Sequence, residues 1–236
     1  MTYQWEWQVF LADDGSGRTY AAWMFSAWGW TLAVAACSWV LALVAGSLVG
    51  TLRTVPRAGF RWAGNAWVEI FRNVPLLVQI FLWYHVVPGL VPAFKSLPGF
   101  VLVVFALGLF TSARIAEQVR AGIQSLPRGQ GMAGQALGLT LAQTYRFIIL
   151  PMAFRIVIPP LTSEAMNVIK NSSVAFAVSI AELTMFAMQA QEETARGIEI
   201  YLAVTALYVV SAFAANRAMA AIEARVRVPG YIGEAR

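Results

Sequence analysis

The residues best suited to bind a solute stand in one apolar stretch in the second half of the chain. Residues 152–190 are apolar overall, yet the middle of the stretch carries polar and charged side chains, among them Arg155, Ser163, Glu164, Asn167, Lys170 and Asn171. Charged groups at membrane depth are costly and mark functional sites by default. Lys170 suits a carboxylate, and Glu164 suits an ammonium group. We therefore take these six residues as the candidate substrate pathway.

A proline pair predicts a break in this stretch. Pro159–Pro160 would end one helical piece, after which Thr162 or Ser163 would cap the next piece. The new helix start would present free backbone amides to a carboxylate. Glu164 would then lie in the first turn, where the helix dipole favours a negative charge.

The role of Glu164 is open between two interpretations. In the first, Glu164 contacts an ammonium group of the solute, while Lys170 or the free amides hold carboxylates. In the second, Glu164 pairs with a cation and both charges only brace two packed subunits, since buried ion pairs are often structural. If the helix is unbroken, Glu164, Asn167 and Asn171 share one face and Lys170 lies off that face.

The sequence offers no catalytic or metal site. Its single histidine, His85, has no cysteine or histidine cluster beside it. Glu182 and the pair Glu192–Glu193 lack a base or a metal that would join them in catalysis. The stretch Gly89–Ser96 comes close to a phosphate-binding loop, but Phe94 stands where the second glycine is needed. We expect no enzyme activity, no cofactor and no metal in this chain.

Composition places the chain in a membrane. Of its 236 residues, 59% are hydrophobic and 12% are charged, whereas soluble domains are about one quarter charged. Because a core of this size cannot hide so much apolar surface, the excess faces lipid. A span needs about 20 mostly apolar residues, and five stretches qualify: Ala21–Val49, Arg72–Lys95, Pro98–Gly122, residues 152–190 and Ile200–Ala221. The predicted fold is therefore all-α with five transmembrane helices.

Loop charges predict the orientation of these spans. The stretches that follow the first, third and fifth spans are rich in arginine, while the opposite side holds only Arg18, Lys95 and Arg196 beside several carboxylates. By the positive-inside rule the N-terminus is outside and the C-terminus is cytoplasmic. The predicted organisation is an extracytoplasmic segment at 1–20, one transmembrane domain at 21–222 and a cytoplasmic tail at 223–236. The net charge of +5 thus reflects a membrane topology and not nucleic-acid binding.

Three smaller patterns carry expectations of their own. Arg114, Glu117 and Arg120 are spaced i, i+3, i+6, which predicts an intrahelical salt-bridge ladder; a gating role is the alternative. The charged residues of 192–199 predict a solvated outer loop, with receptor docking as the alternative. The aromatic residues of 3–10 predict either an anchor at the outer headgroups or an incidental tail.

A long loop between the third and fourth spans predicts a docking element. Within residues 125–151, Pro127 can start a helix, Gly138 can end it, and Thr140 can cap a second helix that ends before Pro151. Two short amphipathic helices joined at a glycine make an L-shaped projection on the cytoplasmic side. Such an element has no use inside a bilayer, so we expect it to dock into a groove on a partner.

This loop resembles the EAA loop of binding-protein-dependent ABC importers. The matching positions are Met132, Ala133, Gly134, Gly138, Leu139, Ile148, Leu150 and Pro151. The family usually has Glu at the position of Met132 and Ala at that of Gly134. Two further stretches, Phe71–Gln79 and Pro159–Ser173, are similar to the polar amino-acid branch of the family. Tyr145–Thr184 looks closest to glutamate/aspartate permeases.

The resemblance implies a fold, a function and partners. It implies the type I permease fold and one permease subunit of an ATP-driven importer of acidic amino acids, glutamate or aspartate, in a bacterial inner membrane. The implied partners are a second permease, identical or similar, two cytoplasmic ATPases that bind the ATP, and an extracytoplasmic solute-binding protein. Two alternatives stay open: import of another polar amino acid (glutamine, arginine, histidine), and a structural half whose partner holds the substrate site. A channel or secondary carrier would need no exposed loop and usually shows repeated halves.

Overall fold

The structure is a computed structural model that describes residues 3–226, and helices dominate that range. Eight longer helices follow one another: α1 (Tyr20–Leu52), α2 (Ala58–Asn73), α3 (Leu76–Leu90), α4 (Gly99–Gln124), α5 (Arg128–Ala136), α6 (Leu150–Asn171), α7 (Leu183–Thr194) and α8 (Gly197–Val226). Short 3-10 turns lie at Trp7–Leu11 and Ser172–Val178. The all-α fold class is confirmed.

Four helical segments of the described chain are long and apolar enough to cross a membrane. They are Tyr20–Leu52, Gly99–Gln124, Leu141–Val178 and Gly197–Val226. The shortest has 26 residues, about 39 Å at 1.5 Å per residue, which exceeds a hydrocarbon core of about 30 Å. The helix pair α2 and α3, bent by 104°, supplies a fifth crossing if the pair counts as one span. The direction in which the chain crosses stays a prediction.

The predicted second span is shorter in the structure. Helix α3 begins after Pro75 and ends before Pro92, because proline disfavours helical backbone in the residue before it. Val74 and Val91 accordingly have extended backbone. Upstream of this span, α2 is a separate helix of 16 residues with Val68 buried. The arginines of this stretch had predicted only a loop between the first two spans.

Helix α6 runs through Pro159–Pro160 without ending, so the predicted break is wrong. The two prolines remove the N–H donors that would reach the carbonyls of Arg155 and Ile156. Apolar residues at every fourth position pack α6 into the same buried cluster as α4 nonetheless: Ala153, Val157, Leu161 and Ala165 with Ile115, Val119 and Ile123. This burial outweighs the cost of interior proline, about 3 kcal/mol or more at an unsupported site.

The described chain forms two compact units, and α1, α4, α6 and α8 each contribute to both. The first unit contains residues 3–38, 75–107 and 167–214. Its core combines aromatic and aliphatic residues of α1, α7 and α8, among them Trp23, Phe186 and Ile200. The second unit contains 39–74, 108–166 and 215–226, and its core is built on the α4–α6 cluster.

Two glycines let α1 pack directly against α4 in the second unit. A Cβ atom on Gly46 would lie 2.7 Å from the carbonyl oxygen of Ser112, and one on Gly50 would lie 2.7 Å from that of Ala116. Both distances are shorter than any ordinary contact with a backbone atom. The helices can therefore approach this closely only because both positions lack a side chain, as at other small-residue interfaces in membranes.

We expect Gly50→Val to destabilise the protein by about 1–3 kcal/mol, the usual cost of overpacking. The obstacle is backbone, which cannot rotate away as a side chain can. The measurement is thermal unfolding in mild detergent. Gly29→Val is the matched control, because Gly29 lies on the same helix and a Cβ there would meet nothing within 4 Å. Equal unfolding temperatures for the two variants would contradict the close packing of α1 on α4.

Candidate functional site

A buried carboxylate lies where α6 packs on α4 in the second unit. Glu164 is only 8% exposed. Its Oε1 accepts a hydrogen bond from Nε2 of Gln118 at 3.4 Å, and its Oε2 lies 3.8 Å from Nη1 of Arg114. Gln118 and Arg114 stand four residues apart, so α4 presents both to α6 on one face. Glu164 thus has a cation beside it, as the bracing interpretation required.

The same three side chains leave hydrogen-bonding capacity unused. Neither Oε2 of Glu164 nor Oε1 of Gln118 has a hydrogen-bond partner within the described residues, although both atoms are buried. A buried acceptor left without a donor costs about 1–3 kcal/mol. Both free atoms are acceptors, so the arrangement can take up a further donor group, such as an ammonium.

The other predicted pathway residues do not gather around Glu164. Arg155, Ser163 and Lys170 are exposed, whereas Asn167 and Asn171 are half-buried. Arg155 precedes Glu164 by nine residues, which at 100° per residue puts the two on opposite sides of α6. The predicted separation of Lys170 from the Glu164 face agrees with its exposure. Within residues 3–226, no hydrogen bond or ion pair joins any two of the six side chains.

The predicted helix start at Thr162 or Ser163 is wrong, because both residues lie inside α6. The Thr162 hydroxyl donates to the carbonyl of Ile158 at 3.4 Å, within its own helix. Glu164 is therefore not in a first turn, and no free amides are available beside it for a carboxylate. A carboxylate bound beside Glu164 would have to be held by side chains.

Glu117 is the centre of a second charged group in this unit. Its carboxylate accepts from Nη2 of Arg53 at 2.9 Å and from Nη2 of Arg120 at 3.0 Å, while Nη1 of Arg72 lies 3.8 Å away. The predicted ladder is therefore half right: Arg120 pairs with Glu117, but Arg114 turns to Glu164. The network ties α1, α2 and α4 together.

The 125–151 loop folds largely as its sequence predicts. Helix α5 begins directly after Pro127, and Gly138 has a φ of +76°, a left-handed conformation that favours glycine. Thr140 then caps the next turn in a capping box with Gln143. Gly134 is buried, and a Cβ there would lie 2.9 Å from Cδ1 of Ile148, so a residue without a side chain lets α5 lie close to the turn that follows.

One prediction about the loop is wrong: the second helix does not end before Pro151. Leu141–Thr144 continues through a π-helical turn, Tyr145–Ile149, directly into α6. Pro151 lies inside this continuous helical segment, directly after the π-helical turn, and does not end it. The loop exposes large apolar side chains in the described chain, among them Met132 at 63% and Leu137 at 79%.

Residues 42–228 match the family model described as the inner membrane component of binding-protein-dependent transport systems. The chain belongs to this family. It is therefore an inner-membrane transport component and not an enzyme, as the resemblance in the sequence implied.

The permease is similar to several known amino-acid permeases. It is 42% identical to the glutamate/aspartate import permease protein GltJ of Escherichia coli K12, over 99% of both chains. It is 40% identical to the probable glutamine ABC transporter permease protein GlnM of Bacillus subtilis 168, over 71% of this chain and 76% of that one. A crystal structure of an amino acid ABC transporter superposes with a TM-score of 0.75 at 29% identity, covering 87% of the permease and 95% of that chain.

The first unit of the permease holds a buried carboxylate, Glu182, for which the sequence predicted no catalytic role. Glu182 has no exposed surface. It caps α7 by accepting from the backbone N–H groups of Thr184 and Met185, and it accepts at 2.8 Å from the Tyr208 hydroxyl. Since three donors reach this carboxylate, we assign Glu182 to the fold. A cap that binds both backbone and a distant tyrosine fixes α7 on α8.

The N-terminal segment of the permease is held by the start of α8. Glu199 has no exposed surface, so the predicted solvated loop is wrong at this residue. Its carboxylate accepts from the Tyr3 hydroxyl and, at 2.9 Å, from the backbone N–H of Glu6. Arg196 forms an ion pair with Glu6. The hydrogen bond to Glu199 raises the pKa of the Tyr3 phenol. These contacts hold the segment on α8; its place at the outer headgroups stays a prediction.

Proposed function

We propose that the chain is a permease subunit of an ATP-driven importer of acidic amino acids, glutamate or aspartate. The strongest support is the 42% identity to a glutamate/aspartate import permease across 99% of both chains. The glutamine permease at 40% identity covers less of each chain, 71% and 76%. Import of another polar amino acid is the alternative substrate class.

The pathway residues suit such a solute. An acidic amino acid carries two carboxylates and one ammonium group. The two buried acceptors on Glu164 and Gln118 match the ammonium group. Arg114, 3.8 Å from the Glu164 carboxylate and itself partly exposed, is the cation near enough to match a carboxylate of the same solute.

The 125–151 loop couples the permease to ATP hydrolysis in its partner subunits. The chain contains no phosphate-binding loop, because Phe94 replaces the glycine that the one near-match requires. The partners are two cytoplasmic ATPases, a second permease and an extracytoplasmic solute-binding protein. Helix α5 presents Met132 and Leu137 outward, and apolar side chains on a short helix are the usual anchors for a groove on a partner. Movement of the ATPases then reaches α6 directly, since loop and helix are continuous.

Co-purification followed by ATPase assays tests the proposal. A tagged chain, extracted from its host in mild detergent, is expected to bring down an ATPase and a second permease, identified by mass. The reconstituted complex should hydrolyse ATP faster with a solute-binding protein loaded with glutamate or aspartate than with glutamine or arginine. Stimulation by glutamine or arginine alone would contradict the substrate assignment. Purification with no ATPase would contradict the coupling loop itself.

A further inference from the structure

The second unit contains an apolar cavity whose lining does not include Glu164, Gln118 or Arg114. Its volume is about 310 Å³. The walls come from the end of α1, the start of α2 and the turn that follows α5; the lining includes Leu52, Val55, Phe60, Leu141, Ala142 and Tyr145. Five of these six residues have wholly hydrocarbon side chains, so the cavity favours an apolar occupant.

One arginine lines this cavity, and a second follows it on α2. Arg57 lines it, with its guanidinium carbon 5.8 Å from the ring centre of Phe60. Arg61 follows one helical turn later and is exposed. Neither arginine forms an ion pair with a carboxylate of the described chain, and no carboxylate lines the cavity. Arg53 differs, because Glu117 and Asn65 already occupy its guanidinium. The cavity therefore combines an apolar interior with two cations that lack an anion.

Helix α2, which begins at this cavity, has the character of a helix that lies at a membrane surface. Phe60, Trp62 and Ile70 are 43%, 75% and 60% exposed, while Val68 is buried against the rest of the unit. At 100° per residue, Arg61 and Arg72 lie next to the buried Val68, whereas the three exposed apolar residues are spread around the rest of the helix. Exposed aromatic, aliphatic and basic side chains on one helix suit the headgroup region, where lipid carbons and phosphates are both within reach.

We infer that the cavity binds an anionic phospholipid, with acyl carbons against Phe60 and Leu141 and the phosphate on Arg57 and Arg61. The acyl chains match the apolar walls, and the phosphate matches the two arginines. A free phosphate would leave the apolar walls uncovered, and a neutral lipid would leave the two cations without net negative charge. Basic sites between helices on the cytoplasmic side of membrane proteins are known to hold anionic headgroups. The positive-inside prediction puts this part of the chain on that side.

Lipid retention measures this site without ATP or solute, so its outcome is independent of the proposed function. The full complex is placed in nanodiscs of phosphatidylcholine with an equal part of phosphatidylglycerol, then extracted, and the retained phosphatidylglycerol is counted by native mass spectrometry. One arginine near anionic lipid strengthens binding about fivefold. Arg57→Gln should therefore weaken retention about fivefold, and the double variant with Arg61→Gln roughly 25-fold. Arg225→Gln, an exposed arginine at the end of α8, should change nothing.

A second pair of measurements separates the cavity from a merely basic surface. Ala142→Phe fills the cavity and keeps both arginines, and it should abolish retention as the charge variants do. Unchanged retention in Ala142→Phe, with a normal unfolding temperature, would overturn the proposal. If Ala142→Phe does not fold, the lipid retention of Arg57→Gln still tests the proposal, because that change alters only an exposed side chain. A photoreactive benzoylphenylalanine in place of Leu141 should crosslink to phosphatidylglycerol. A crosslink to a protein chain instead would show that a protein partner fills the cavity and would overturn the lipid site.

Discussion

Glu164→Ala is expected to abolish solute uptake and to leave the transporter assembled. The carboxylate is buried, and one of its oxygens has no hydrogen-bond donor among the described residues. If a solute ammonium supplies that donor, its loss lowers uptake by about 100-fold, the upper range for a hydrogen bond to a charged group. Uptake of radiolabelled glutamate into proteoliposomes measures the effect, and gel filtration of the complex measures assembly.

Further variants distinguish this role from bracing. Glu164→Gln keeps the shape and removes the charge, so it should lose uptake nearly as fully. Glu69→Gln, an exposed carboxyl of α2, is the control and should transport normally. If Glu164 only balances Arg114, the double variant Glu164→Gln with Arg114→Gln should regain uptake. Such recovery, or normal uptake by Glu164→Ala, would remove Glu164 from the pathway.

Leu137→Asp is expected to disconnect the ATPases from the permease. Leu137 is 79% exposed at the end of α5 and is available to fill a groove on a partner. Losing an apolar anchor at the centre of an interface costs about 2 kcal/mol or more, and a buried carboxylate without a partner adds to that cost. We expect at least roughly 30-fold weaker ATPase binding and no solute-stimulated hydrolysis.

The control for Leu137→Asp is Leu11→Asp, because Leu11 has nearly the same exposure, 75%, but lies in the N-terminal segment. It should leave both ATPase binding and hydrolysis unchanged. The unfolding temperature of Leu137→Asp should match that of the wild type, since the side chain makes little contact within its own chain. A fully coupled Leu137→Asp transporter would exclude α5 as the docking helix.

The parts of the fold that the sequence predicts are those governed by local rules. Mostly apolar runs long enough to cross a bilayer predicted α1, α4 and α8, with ends within about five residues of those observed. Pro127 and Thr140 acted as helix starts and Gly138 as a helix end, since capping depends on neighbouring residues alone. Such signals need no knowledge of what packs against the helix.

The wrong predictions arose where tertiary contacts decide the structure. A pair like Pro159–Pro160 breaks an isolated helix, but in this protein the burial of α6 against α4 keeps α6 helical. Local sequence patterns do not show that packing. The partners of Glu117 include Arg53, which lies 64 residues earlier. The charged neighbours of Glu199 in sequence predicted a solvated side chain. In the structure its carboxylate accepts hydrogen bonds from the Tyr3 hydroxyl and from the backbone N–H of Glu6.

The anchoring of the N-terminal segment on α8 has a consequence for biogenesis. Glu6 and Glu199 are 193 residues apart, and ribosomes add about 5–20 residues per second. The first residues therefore emerge about 10–40 s before their partner exists. During that interval Glu6 and Arg196 cannot pair, and the Tyr3 hydroxyl has no Glu199 carboxylate to donate to. The N-terminal segment can therefore bind α8 only after α8 has been made and inserted. Its binding thus indicates that α8 has reached its place.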